Sequence, residues 1–108
     1  MKVKVSEATN LQLDWMVAQV EQNVGWEPEG EDRDYYSTQW AHGGPIIERG
    51  WIDLTPWPNE TDDELRWQAT QHGNIDCLYF GPTILIAAMR CHVARKMGDV
   101  VDVPKELA

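Results

Sequence analysis

The chain is short of positive charge, of serine and of long apolar runs, and each shortage closes off a class of function. Nine lysines and arginines stand against 18 aspartates and glutamates, giving a net charge of −9 over 108 residues. A surface of that balance repels phosphate, so direct nucleic-acid binding is disfavoured. The longest apolar run, residues 84–89, falls far short of the roughly 20 residues that cross a bilayer. No charged-then-apolar leader opens the sequence, so a cytoplasmic site with reduced thiols is the default. The two serines, Ser6 and Ser37, sit in no nucleophile-elbow pattern. The two cysteines, Cys77 and Cys91, and the three histidines show neither Cys-x-x-Cys nor His-x-x-x-His spacing, so no metal and no cofactor is expected.

What is present is the composition of one globular domain spanning residues 1–108, 43% apolar and 25% charged, with six tryptophans. Half of the acidic residues fall in two short stretches, 27–34 and 60–64, which read as solvated loops. Lys2 to Val5 alternates as a short strand. Thr9 and Gln12 have capping-box spacing, and Leu13, Met16, Val17, Val20 and Val24 form one apolar stripe, predicting a helix over 10–24 ended by Gly25. Short helical turns are expected near 38–49, broken by Gly43-Gly44-Pro45. Residues 51–54 and 66–70 read as paired strands across the second acidic loop, residues 73–77 as a turn, and Leu78-Tyr79-Phe80 as the lead into a last helix over 83–97. Residues 100–103 complete the pattern as an edge strand. The fold expected is α+β, a small, mainly antiparallel sheet packed with two main helices.

The last helix carries the sharpest signal. Thr83 can cap it, Arg95 and Lys96 suit its C-terminal dipole, and Gly98 stops it. At 100° per residue, Ile86, Met89, Val93 and Met97 make a bulky apolar side. Ala87, Ala88, Cys91 and Ala94 make a smooth one, and His92 joins Arg95 and Lys96 on a polar one. Arg90 projects between the bulky and smooth sides. A guanidinium there keeps its proton and must be paired or solvated. Either it bridges Asp14 or Glu48 or caps backbone carbonyls, fixing the fold, or it faces a cleft and binds an anion.

Other candidate ligand contacts follow from local chemistry. Asp14 and Trp15 lie off the first helix's apolar stripe. His42, Gly43 and Gly44 place an imidazole beside a glycine pair able to form an anion-binding nest. Thr83 opens the last helix, where free N–H groups and the dipole favour anions, although Pro82 removes one donor. Trp57, between two prolines in a loop, is the residue best suited to touch a partner.

Several strings are specific when taken together: Gly43-Gly44-Pro45-Ile46-Ile47-Glu48-Arg49, Gly81-Pro82-Thr83, and Ala87-Ala88-Met89-Arg90-Cys91, in order behind Lys2-Val3-Lys4-Val5-Ser6-Glu7 and Leu13-Asp14-Trp15. They resemble the NinX-like family of small phage and prophage proteins over nearly the whole chain. The resemblance implies a phage or prophage origin and expression in a bacterial cytoplasm, and it carries over no catalytic residues. Two functions follow as expectations. The first is a non-enzymatic accessory protein that binds a host or phage protein, supported by acidic loops and loop tryptophans. The second is a small enzyme or ligand-binding domain with an anion cleft around Arg90, His42 and the glycine turns.

Overall fold

The computed structural model describes residues 1–57, 62–72 and 74–108. Among them, three α-helices and two small antiparallel sheets make the expected α+β fold. β1 (Lys2–Lys4) pairs with β5 (Val100–Asp102). The larger sheet has the order β2 (Ile52–Pro56), β3 (Trp67–Gln71), β4 (Asn74–Gly81), so β4 is an edge strand. The helices are α1 (Asn10–Val20), α2 (Trp40–Gly50) and α3 (Ile84–Met97), and α3 touches both other helices and all three strands of the larger sheet.

α1 starts where the sequence predicts. Thr9 Oγ1 accepts the Gln12 N–H at 3.3 Å, and Gln12 Oε1 accepts the Thr9 N–H at 3.0 Å, satisfying two donors that the first turn leaves free. Leu13, Met16 and Val17 are fully buried. The helix ends at Val20 rather than continuing to 24. Gln22 turns left-handed at φ 58°, and the Asn23 N–H reaches back to Ala18 O at 2.9 Å. The early exit leaves Val24, the last residue of the predicted stripe, 99% exposed. It also lets Asn23 Nδ2 brace the first acidic loop through Asp34 Oδ2 at 2.8 Å and the Tyr36 hydroxyl at 3.0 Å.

α2 replaces the predicted short turns with one continuous helix through Gly43-Gly44-Pro45. A Cβ at Gly43 would lie 2.3 Å from Tyr36 O and 2.7 Å from Leu85 Cδ2, so the missing side chain serves close packing rather than a turn. Pro45 leaves the carbonyl one turn earlier, at Ala41, without an amide partner, but Ala41 is exposed and water can serve it.

β4 is the other departure. Residues read as a turn and a lead-in form an eight-residue strand paired along β3. On its inward side Cys77 and Gly81 are small, with Cys77 Sγ 3.7 Å from Cys91 Sγ and a Cβ at Gly81 placed 2.6 Å from Ala87 N. The smooth side of α3 thus lets the sheet approach closely, which buries Ala69, Ala87, Ala88 and Cys91 completely. α3 itself is capped by Thr83 Oγ1 on the Ile86 N–H at 3.2 Å and stopped by Gly98 at φ 87°, both as expected.

Candidate functional site

Arg90 lies halfway along α3, and its side chain is only 7% exposed. Neither Asp14 nor Glu48 pairs with it. Its Nη1 donates to Phe80 O at 2.8 Å and its Nη2 to Ala8 O at 3.2 Å, so it ties the end of β4 to the chain just before α1. Its closest carboxylate, Glu64 Oε2, stands 3.9 Å from Nη1, beyond hydrogen-bond reach. The buried Nε has no partner among the described residues. Burial pulls the guanidinium pKa down and Glu64 opposes the shift, yet the group stays charged. The two carbonyls hold the cation, and neither neutralises it.

Above Arg90 opens a groove of about 1070 Å³. β4 supplies Leu78, Tyr79 and Phe80, the segment before α1 supplies residues 6–10, and Glu64 and Leu65 form a rim, with Ile86, Asp99 and Val100 completing the walls. Leu78 and Val100 are exposed apolar side chains there, at 42% and 46%. In an antiparallel ladder, a residue whose carbonyl points away from its neighbour also points its N–H away. Phe80 O is held by Arg90, so the Phe80 N–H and both backbone groups of Leu78 face outward along the same edge. No backbone hydrogen bond from another described element reaches them. The groove therefore combines an unpaired strand edge, an apolar wall and one buried cation.

The remaining sequence candidates are distributed around this groove and away from it. Thr83 lines a neighbouring pocket of about 440 Å³ with Trp40 and Trp67, and that pocket shares Asn10, Pro82 and Ile86 with the groove. Trp57 is 45% exposed and packs edge-on against Phe80, with ring centroids 6.1 Å apart, which sets it behind the groove wall. Asp14 is buried and accepts the Ser37 N–H at 2.8 Å; burial raises its pKa against that bond. Trp15 packs half-buried against the core. His42 lies in the first turn of α2 and faces the end of the first acidic loop, where its Nδ1 accepts the Tyr35 N–H at 2.7 Å and its Nε2 lies 3.8 Å from Asp34. Gly43 and Gly44 are inside α2. None of His42, Gly43, Gly44, Asp14 and Trp15 lines the groove over Arg90.

Sequence reasoning passed over the groove's own contributors. Glu64 reads as one charge in an acidic loop, and Leu78 and Phe80 read as the lead into the last helix rather than as part of a strand. The alternation of Cys77, Tyr79 and Gly81 inward with Leu78 and Phe80 outward was the available signal.

His92 is a second correction. Placed by the helix wheel on the polar side, it is buried, with its side chain 4% exposed and Nε2 3.0 Å from Glu21 Oε2. Glu21 Oε1 accepts from Arg49 Nη2 at 2.6 Å. Burial lowers the His92 pKa, with Glu21 opposing in part. Burial pushes the Glu21 carboxyl up, but the bonds from Arg49 and His92 outweigh it and hold it low. A neutral imidazole donating to an ionised carboxylate accounts for both directions. Cys91, beside Cys77, is an inert thiol whose pKa burial lifts to about 12.

Fold and site together define a small α+β protein whose central helix carries a buried guanidinium under an open groove. Residues 4–96 match the model of a family described as Bacteriophage P22, NinX, and the chain belongs to that family of phage proteins. A search among curated proteins finds no match. No helix among the described residues is long and apolar enough to cross a membrane.

Proposed function

We propose that this phage accessory protein works in the host cytoplasm as a non-enzymatic binding protein, holding an extended segment of a host or phage protein along β4. The observation that carries this reading is the outward edge of β4, where both backbone groups of Leu78 and the N–H of Phe80 have no backbone partner among the described residues, beside the exposed Leu78 and Val100 side chains. An extended peptide that adds to a sheet edge gains main-chain hydrogen bonds from the edge and specificity from alternate side chains. Natural proteins blunt free edges with charge, proline or a covering element. At Leu78 and Val100 the wall is apolar instead. Hydrolytic chemistry has little support, since the described groove residues include Ser6 but neither a histidine nor a cysteine to activate or replace it.

A displayed peptide library selected on the full chain tests the reading. Binders with apolar residues at every second position are expected, and Leu78→Glu and Val100→Glu should each weaken them tenfold or more, an effect of about 1.4 kcal/mol. Failure to select any peptide, or binders indifferent to both substitutions, would refute it.

A further inference from the structure

Resting on the reading of the groove as a peptide site, we propose that its Arg90 end takes the free C-terminal carboxylate of the bound segment, and that Glu64 is the protein's own weak substitute for that group. Three observations converge. Arg90 has five N–H donors, and the described bonds use one on each terminal nitrogen, for Phe80 O and Ala8 O, both uncharged acceptors. Nε is buried with no partner among the described residues, so their groups leave the guanidinium's donors incompletely used even where water cannot reach. Glu64 approaches Nη1 but stops at 3.9 Å, on a side chain 66% exposed. A charge-assisted N–H···O bond closes to about 2.8 Å. The protein therefore sets a carboxylate beside this cation without letting the bond form.

The rest of the groove decides how the carboxylate must arrive. Glu7, Glu64 and Asp99 outnumber Lys4 and Arg90 among its walls, so an acidic stretch is repelled. A single carboxylate on an apolar carrier meets less of this repulsion and can be set directly against Arg90. The terminal residue of a chain, with an apolar side chain against Leu78, Ile86 and Val100, supplies both features. Its backbone also continues in the extended form that the edge of β4 can pair. Glu64 belongs to a short 3-10 turn, Asp63–Leu65, that buries none of its residues, so displacing its side chain disturbs no core packing.

The test uses the full chain and the Arg90 Nε–Hε signal in a proton–nitrogen correlation spectrum, assigned by its loss in Arg90→Lys. Burial of Nε protects that proton from exchange. Three probes are titrated: N-acetyl-leucine, N-acetyl-leucinamide, and the α-amide of N-acetyl-glutamate. N-acetyl-leucine should shift the signal, with an affinity roughly two- to fivefold higher in Glu64→Ala than in the parent protein, the worth of one exposed ion pair. N-acetyl-leucinamide should leave the signal in place. Equal response to acid and amide, no response to the acid in either protein, or an affinity unchanged by Glu64→Ala overturns the assignment. A response to the glutamate side chain alone moves the carboxylate's source from chain terminus to acidic residue, and so also overturns it. Selected peptides that bind equally well as C-terminal amides sink this inference but not the peptide site. An Arg90 response to N-acetyl-leucine without any selected peptide sinks the peptide site but leaves the carboxylate contact standing.

Discussion

Two buried basic side chains, one charged and one neutral, lie on nearly opposite sides of α3, and they are stabilised in different ways. Arg90 and His92 are two residues apart, about 200° around the helix. His92 belongs to a closed set: Glu21 gives one oxygen to it and the other to Arg49, and the three lie around a pocket of about 440 Å³. Arg90 belongs to an open set. Among the described residues its terminal nitrogens hold neutral carbonyls, its Nε holds nothing, and the one carboxylate near it is too far to bond. Burying a charge is tolerable when its hydrogen bonds are complete and its charge is countered. In the His92 set the one charge, on Glu21, is countered by Arg49 and bonded by both partners, although the buried His92 Nδ1 has no partner among the described residues. The Arg90 set meets half of that condition, and the unmet half faces the groove. Burial by itself is thus no guide to role; whether the charge has a bonded counter-charge separates a structural ion pair from a site.

The largest expected effect removes Arg90. In Arg90→Met the apolar length is kept, but Phe80 O and Ala8 O lose their donors, so a loss of about 2–4 kcal/mol is expected in urea unfolding. An unchanged midpoint would strip Arg90 of any structural part and leave ligand binding as its whole purpose. The next effect breaks the closed set. Glu21→Ala leaves the buried His92 N–H without an acceptor, and about 1–3 kcal/mol should be lost. A negligible loss there would mean the set is not closed, and the contrast with Arg90 would fail.

Much of this architecture is written locally in the sequence. Thr9 with Gln12, Thr83 and Gly98 mark helix ends through hydrogen bonds made within a few residues, so they are readable without tertiary knowledge. The smooth side of α3 is equally legible, because alanine and cysteine can only mean close approach. Arg90 is recognisable as a charge needing partners, but those partners are 10 and 82 residues away and are backbone carbonyls, which carry no residue code. Gly43-Gly44-Pro45 misleads for a related reason. The preference of glycine and proline for turns is local, and it yields to packing of Gly43 against Tyr36 and Leu85 that no local pattern reveals. His92 differs again: helical periodicity gives its angle, but only the position of Glu21 at the end of α1 determines that this side is covered.

Acidification sharpens the comparison because it acts on one set only. Burial holds the folded His92 pKa below its ordinary value, so the unfolded chain, titrating near 6.5, takes up the proton first. Stability should therefore fall as the pH drops below about 6.5 toward the lower folded value. Glu21, held low in the fold, adds a further loss as the pH falls through its own depressed value. Unfolding midpoints across that range should show the first decline in the parent protein and its absence in His92→Gln. A decline that survives the substitution would assign it to another group.

The smallest expected effect is the most discriminating. Glu64→Gln removes the only carboxylate near Arg90 among the described residues, as Glu21→Ala does for His92. In the bonded pair, removal of Glu21 strands a buried imidazole N–H, at the cost of about 1–3 kcal/mol given above. At 3.9 Å, on a side chain 66% exposed, Glu64 behaves as a surface partner, and a change within about 0.5 kcal/mol is expected in urea unfolding. A loss comparable to that of Glu21→Ala would show that Glu64 closes the Arg90 set, and the groove would then hold no cation in need of a partner. A null result leaves Arg90 stabilised by carbonyls and uncountered in charge, so the groove keeps a cation that a ligand's carboxylate can complete.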